Sequence, residues 1–406
     1  MKTLSLSTLA TQLVPLPEWE AQFNNLTHRL SRRFARPDAR KQASEYLQGL
    51  LSPVERKNSW QLAEQLGHAT PYRVQHLLDR AVWDADAVRD DLQAYVSEQL
   101  GHPDGVLVID ETGFLKKGEH SVGVKRQYSG TAGRVENSQV GVFVGYASPQ
   151  GQTLLDRALY LPQEWADDPA RRRKAKVPDA VKFATKPQLA QTMLSRALDA
   201  GIAAAWVTGD SVYGNDRPLQ AMLQVRRQAY VLAVKSDLRL PFLGGGIRAQ
   251  TLANRVPASD WQTLSCGNGA KGARLYEWAR VPLDVPEQAD FASWLLVRRS
   301  LSNPSEQAYY QVFAPQDTPL TSLVTVAGTR WTVETNFETA KGEVGLDHYE
   351  VRSWHGWHRH MTLCLLAQAF LAVLRSVSVE AQLKGGKTMP RNSLRRFKQS
   401  RGLSCP

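Results

Sequence analysis

At 406 residues, 42% of them hydrophobic, the chain is long enough for two or three domains and a large buried core. Three widely spaced cysteines, Cys266, Cys364 and Cys405, show no metal-ligand spacing, and their odd number argues against a disulfide framework; the expected compartment is reducing and cytosolic. The formal net charge of +11 and pI near 9.6 point to a polyanionic partner rather than a neutral small molecule.

The opening MKTLSLSTLATQLVPLP has the outline of a leader, but Ser, Thr and Gln break its apolar stretch, so it is not read as a signal peptide. Residues 1–100 have helical periodicity. Within them, SWQLAEQLGHATPYRVQHLLDRAVWD reads as a helix, a break at Gly67, and a second helix opened by Thr70-Pro71. Two helices about a short turn describe a helix-turn-helix or an ordinary helical hairpin equally well; in the first case Arg73, Gln75, His76 and Arg80 form the reading face.

From residue 101 the period changes to that of strands. VLVID, SVGVKRQYS and SQVGVFVGYAS predict an antiparallel meander, followed by the basic excursion WADDPARRRKAKVPDAVKF and a helix from Lys186 to Ala200. AAAWVTGDSVYGN, a helix over 217–227 and AYVLAVKS complete the segment 101–236, in the order three strands, helix, strand, helix, strand. That is the order of a ribonuclease H-like core, an α/β fold. Residues 237–326 are read as a β-rich insertion, and 327–383 as the helical second part of the core. The run Met361–Leu374 is too short and too interrupted to span a bilayer easily and reads as a buried core helix. Residues 384–406 carry seven Lys or Arg and no acid, a basic tail.

Two strands end in acids. Asp110 closes VLVID and Asp210 closes AWVTGD, both after runs too apolar to be half exposed. A lone acid there could cap a helix or form a turn. Two at matching ends of neighbouring strands suggest a divalent metal site, because buried carboxylates need a cation or a partner. A third acid would come from RWTVETNFETAKGEVGL, where Arg330, Glu334, Glu338 and Lys341 fall on or near one helix face; spacing alone does not choose between the two glutamates. Glu111 should point to the opposite sheet face from Asp110 and support the site from behind.

Four stretches together carry a resemblance: ERKNSWQLAEQLGHATPYRVQHLL, VLVIDETGFLKKGEHSVGVKRQYSGTAGRVENSQVGVFVGYAS, WVTGDSVYGND and RWTVETNFETAKGEVGLDHYEVRSWHGWHRH. The chain resembles bacterial insertion-sequence transposases of the DDE superfamily over about residues 15–380. The resemblance implies a ribonuclease H-like catalytic core and a helical DNA-binding domain over residues 1–100. It implies Asp110, Asp210 and Glu334 as catalytic metal ligands. Glu334 is selected because Arg330, Glu334 and Lys341 match a Tyr-x2-Arg-x3-Glu-x6-Lys pattern; Ala327 stands at its Tyr position, a departure that bears on a DNA contact. It also implies two Mg²⁺ ions, replaceable by Mn²⁺, about 4 Å apart. Partners would be double-stranded DNA, as transposon-end inverted repeats and as target, and a second copy of the chain; the setting would be the bacterial cytoplasm and nucleoid, with no membrane.

Candidate DNA contacts are Arg330, Lys341, Lys116, Lys117, Lys125, Arg126, Arg352, His358, Arg359, Arg73 and Arg80, with the run ARRRKAK and His360 beside them. Trp261, Trp278 and Trp294 in the insertion read mainly as core, with base stacking as the other use. Three rivals share these residues: a ribonuclease H-like nuclease that never joins ends, a silent transposase-derived repressor, and a metal-dependent hydrolase of small molecules, the last disfavoured by the charge.

Overall fold

The computed structural model describes residues 16–269, 272–284 and 290–384. The leader-like opening, Cys405 and the basic tail from residue 385 lie outside the described residues.

Among the described residues five helices come first: α1 (Leu16–Ser31), α2 (Pro37–Leu51), α3 (Ser59–Gln65), α4 (Tyr72–Asp79) and α5 (Ala85–Leu100). Local chemistry sets their ends. Pro37 opens α2, where a missing N–H costs nothing; Asn58 caps α3 by accepting from the Gln61 N–H at 3.0 Å; Asp84 caps α5 through Asp86 N–H. Gly67 turns the chain between α3 and α4 with φ +74°, a conformation that costs glycine little. Pro71, not Thr70, occupies the cap position of α4.

The sheet follows. Its core strands are β1 (Val106–Leu115), β2 (Lys125–Ser129), β3 (Arg134–Ser148), β4 (Gly151–Leu159), β5 (Trp206–Gly209) and β6 (Ala229–Val234). Between β4 and β5 lie α6 (Gln163–Ala166), α7 (Pro169–Lys174) and α8 (Lys186–Asp199); between β5 and β6 lie α9 (Ser211–Gly214) and α10 (Arg217–Val225). β3 runs antiparallel to β1 and β4, whereas β1, β5 and β6 are mutually parallel.

The expected meander needs one correction. KRQYS forms only the short outer strand β2, and the third long strand is β4, which the sequence reading passed over. Asp156 and Arg157 interrupt its apolar pattern, yet both are buried there.

The segment 237–326 is β-rich, but it is no separate layer. After the small ribbon β7 (Arg239–Phe242) and β8 (Gly245–Arg248) and the helix α11 (Ala249–Ala253), it forms β9 (Gln262–Gly269), β10 (Gly272–Pro282), β11 (Phe291–Arg299) and β12 (Gln307–Pro315). β12 pairs antiparallel with β6, so the same mixed sheet continues outward through β11, β10 and β9. A small second apolar cluster, including Leu240, Leu252, Leu295 and Val297, lies under this extension.

Three helices close the described residues: α12 (Leu320–Thr329), α13 (Thr332–Val344) and α14 (Trp354–Lys384). α13 ends at Gly345 in the left-handed conformation. α14 contains the apolar run long enough to cross a membrane by composition, but 78% of that window is buried inside the protein. It packs on β4 and on α2, α4 and α5, so the helices before residue 100 share one continuous core with the sheet.

Asp156 joins these layers. It is fully buried on β4 and accepts from Arg196 of α8 at 2.8 and 3.0 Å and from Gln93 of α5 at 3.2 Å, with Arg89 of α5 at 3.6 Å. Asp156→Ala would remove the one fully buried acid among Arg89, Arg157 and Arg196, leaving Arg89 and Arg157 only their partly exposed acidic partners Asp86 and Asp90, and urea denaturation should show a loss of about 3–5 kcal/mol.

Candidate active site

The parallel register of β1 and β5 builds the site. Ile109 lies opposite Gly209, the last pair between β1 and β5, so Asp110 and Asp210 follow side by side where that pairing ends. Contrary to the sequence expectation, Asp110 does not close its strand: β1 runs on to Leu115 because β3 continues to pair with it, and only Asp210 leaves the sheet. Asp210 also does what a lone strand-end acid does: its carboxylate accepts from the Val212 N–H at 2.8 Å and caps α9. Asp110 accepts from the Glu111 N–H at 2.8 Å.

Both carboxyls hold protons more tightly than usual. Asp110 is pushed up to about 7, first by burial, then by the charges of Asp210 and Glu111; the Glu111 N–H and Arg330 pull the other way. Asp210 is also raised, first by burial and then by Glu111, against the Val212 N–H and Arg330. Two crowded, desolvated carboxylates beside one guanidinium make a place where a cation is favourable.

Asp110 pairs with Phe143 across β1 and β3, and the Phe143 ring meets Phe337 of α13 with centroids 5.4 Å apart, so α13 covers the Asp110 face. Glu111 lies on the other face by strand alternation. There it accepts from the Lys186 ammonium at 2.7 Å and the Tyr213 hydroxyl at 2.5 Å.

Glu334 and Glu338 are both exposed on α13. Two neighbours bracket Glu334. Arg330, at the end of α12, acts on both aspartates, and Lys341 donates to Thr112 Oγ1 on β1 at 2.8 Å and to Thr131 Oγ1 at 3.2 Å. Seven residues of helix turn through about 700°, so Glu334 and Lys341 share a face within about 20°, whereas Glu338 lies about 60° away. Among the described residues no three His, Cys, Asp or Glu side chains form a ready metal-binding group. Asp110 and Asp210 thus meet as a pair, while Glu334 and Glu338 stand exposed on α13.

The remaining basic candidates divide by exposure. Arg73, Arg80, Lys117, Arg126 and Arg352 are exposed; Arg73 shares α4 with exposed Tyr72, Gln75 and His76, and Arg80 caps its carboxyl end. Lys125 is ion-paired with Glu164. Three others are turned inward. The Lys116 ammonium donates to the Tyr349 carbonyl at 3.1 Å and sits 3.5 Å from its ring centroid, and burial lowers its pKa to about 8. Arg359 is buried and donates to the Leu78 and Trp83 carbonyls, tying α14 to α4. His358 is tied to the Trp354 carbonyl, and burial depresses its pKa to about 3. As placed, Lys116, Arg359 and His358 are structural, not phosphate contacts; burial of the Arg359 and Lys116 charges is offset by carbonyl and ring partners. His360 is likewise buried, bonded to the Tyr46 hydroxyl at 2.7 Å. Trp278 and Trp294 are core residues, and Trp261 lies under the Arg299 guanidinium.

Sequence reasoning missed Lys186, Tyr213 and Gly214. A Cβ on Gly214 would fall 1.8 Å from the Ala233 carbonyl oxygen, so only glycine lets the Asp210 turn lie against β6. The GDSVYGN spacing held that signal. Gly214→Ala should lower stability by about 1–3 kcal/mol in urea denaturation. A pH experiment tests the Asp110 environment. Folded Asp110 keeps its proton to about pH 7, whereas an ordinary aspartate releases it near 3.8. Between those values the folded state binds more protons than the unfolded state, so stability falls as pH rises through the window. In EDTA, Asp110→Asn should therefore melt above the wild type at pH 8, and the two curves should converge towards pH 4.

The chain matches the family profile "DDE superfamily endonuclease" over residues 29–253 and "Transposase DDE domain" over residues 184–370. It is 29% identical over 209 residues to a protein of Microchaete diplosiphon described as a probable transposase for insertion sequence element IS701, covering 50% of this chain and 51% of that protein. The chain thus spans about half the length of that curated relative. Among solved structures, the NurA nuclease from Sulfolobus solfataricus aligns over 60% of this chain and 81% of its own with 12% identity and a TM-score of 0.26, too weak a likeness to argue from. With more than half its length inside the first profile, the chain belongs to the DDE superfamily of endonucleases, with insertion-sequence transposases as its relatives.

Proposed function

We propose that the protein is an insertion-sequence transposase that cuts DNA at the element's ends and joins the freed 3′-hydroxyl to target DNA. The observation that carries this reading is the juxtaposition of Asp110 and Asp210 where the parallel pairing of β1 with β5 ends, on a sheet ordered like a ribonuclease H core. Both carboxyls are destabilised as anions, first by burial and then by neighbouring charge, Asp210 and Glu111 for Asp110 and Glu111 for Asp210. An oxygen-only donor set of this kind suits a hard divalent cation such as Mg²⁺, with Mn²⁺ as substitute. Asp110 and Asp210, with Glu334 as the third ligand, would hold it, and when bound it supplies charge stabilisation at the attacking and leaving oxygens.

The protein's own groups place the DNA. Arg330 lies next to both aspartates and offers its guanidinium to a phosphate beside the scissile bond. Lys341, held by Thr112 and Thr131, stands on the other side of Glu334 and neutralises a neighbouring phosphate. Water attack on the scissile phosphodiester frees a 3′-hydroxyl, and attack by that hydroxyl on target DNA exchanges one phosphodiester for another. No covalent protein intermediate is required. The exposed face of α4 would contact the element's end, and two copies of the chain would hold two ends together.

A supercoiled plasmid carrying the element's flanking ends, incubated with Mg²⁺, tests this. Cleaved and joined products are expected from the wild type. Asp110→Ala, Asp210→Ala and Glu334→Ala should each lose both products while still retarding end DNA in a gel. Cleavage with no joining of a pre-cut end would leave a nuclease, and activity surviving Glu334→Ala but lost in Glu338→Ala would move the third ligand. DNA affinity should fall steeply with salt, with a log–log slope of about −5 or steeper if six or more phosphates are neutralised.

A further inference from the structure

Glu111 has more contacts than a strand residue beside a site requires. Its carboxylate accepts one bond from Lys186, at the first position of α8, and one from Tyr213, inside α9. Tyr213 is fully buried, so its hydroxyl has no water to turn to. α9 is also the turn that Asp210 caps, and Glu111 follows Asp110 directly in β1. One carboxylate therefore links the strand bearing the first aspartate to the turn bearing the second.

We propose that Glu111 is the positioning residue of the aspartate pair. It acts from the far face of the sheet, through Tyr213, and sets where the Asp210 carboxylate stands relative to Asp110. Lys186 holds Glu111 in place and offsets part of its charge, the rest of which still acts on both aspartates. The arrangement parallels the outer partners of metal sites generally, which orient ligands without touching the ion and whose loss costs about 10–100-fold in metal affinity. The inference rests on the reading of Asp110 and Asp210 as cation ligands.

Binding of Mn²⁺ alone to the full chain, without DNA, followed by electron paramagnetic resonance, separates the two ideas. Asp110→Ala should abolish binding. Glu111→Gln, which keeps size but loses the charge, should weaken it at least tenfold with little change in melting temperature. Tyr213→Phe removes a single hydroxyl, so it serves if Glu111→Gln fails to fold, and it should weaken binding in the same direction. The double variant should be no worse than the weaker single one, because both remove one link. In plasmid cleavage, Glu111→Gln should raise the Mg²⁺ concentration for half-maximal rate and be largely rescued at high Mg²⁺, a split that a purely structural role would not give. Mn²⁺ binding within twofold of wild type in folded Glu111→Gln and Tyr213→Phe, with Asp110→Ala still abolishing it, overturns this proposal and leaves the cation site standing. Wild-type binding indistinguishable from that of Asp110→Ala overturns both.

Discussion

Everything at the candidate site depends on the parallel pairing of β1 with β5. A parallel neighbour runs in the same direction as β1, and this register, Ile109 opposite Gly209, brings Asp110, midway along β1, level with Asp210, just past the end of β5. A one-residue slip would turn one aspartate to the opposite face. The register is held by apolar burial on both sides. Leu107, Val108, Ile109, Val207 and Thr208 are all fully buried, and Thr208 spends its hydroxyl on the Val231 carbonyl at 2.7 Å, so no polar group is stranded. The strain of two crowded carboxylates is thus carried by a rigid element that cannot relax to relieve it.

Around that constraint the helices divide the work by sheet face. α13 and α14 cover the Asp110 face with aromatic contacts, Phe143 against Phe337 and Trp357. α8 covers the Glu111 face and delivers Lys186. The helices before β1 are tied in through α14, by Tyr46 to His360 and by Arg359 to the α4 carbonyl end. An exposed α4 face is therefore carried on the same packed body as the aspartates, without an intervening hinge in the described core.

Much of this was legible in the sequence, for definite reasons. Apolar runs ending in Asp110 and Asp210 are local patterns, and so are the glycine break at 67 and the basic run of α7. Strand alternation alone placed Glu111 on the far face. What escaped was decided by long-range partners. β4 hid because Asp156 and Arg157 look like surface residues until Arg196, Arg89 and Asp86 arrive from distant helices. Lys116 and Arg359 looked like phosphate ligands because charge is normally exposed, and only the fold reveals the carbonyls and rings that receive them. The helix face of Glu334 was readable from spacing, whereas its choice over Glu338 rests on family resemblance, and both glutamates are exposed on α13.

The continuity of the sheet from β6 into β12 has a temporal consequence. As the chain leaves the ribosome, β1, β5 and β6 can pair as soon as β6 has emerged, which puts the two aspartates together early. α12 and α13, with Arg330 and Glu334, follow only after β7 to β12 have been made, and β12 must find β6 across that long sequence separation, a slow step by its topology. A half-made chain consequently holds Asp110 and Asp210 without Arg330 or Glu334, which join them only once the last third of the polypeptide has been made.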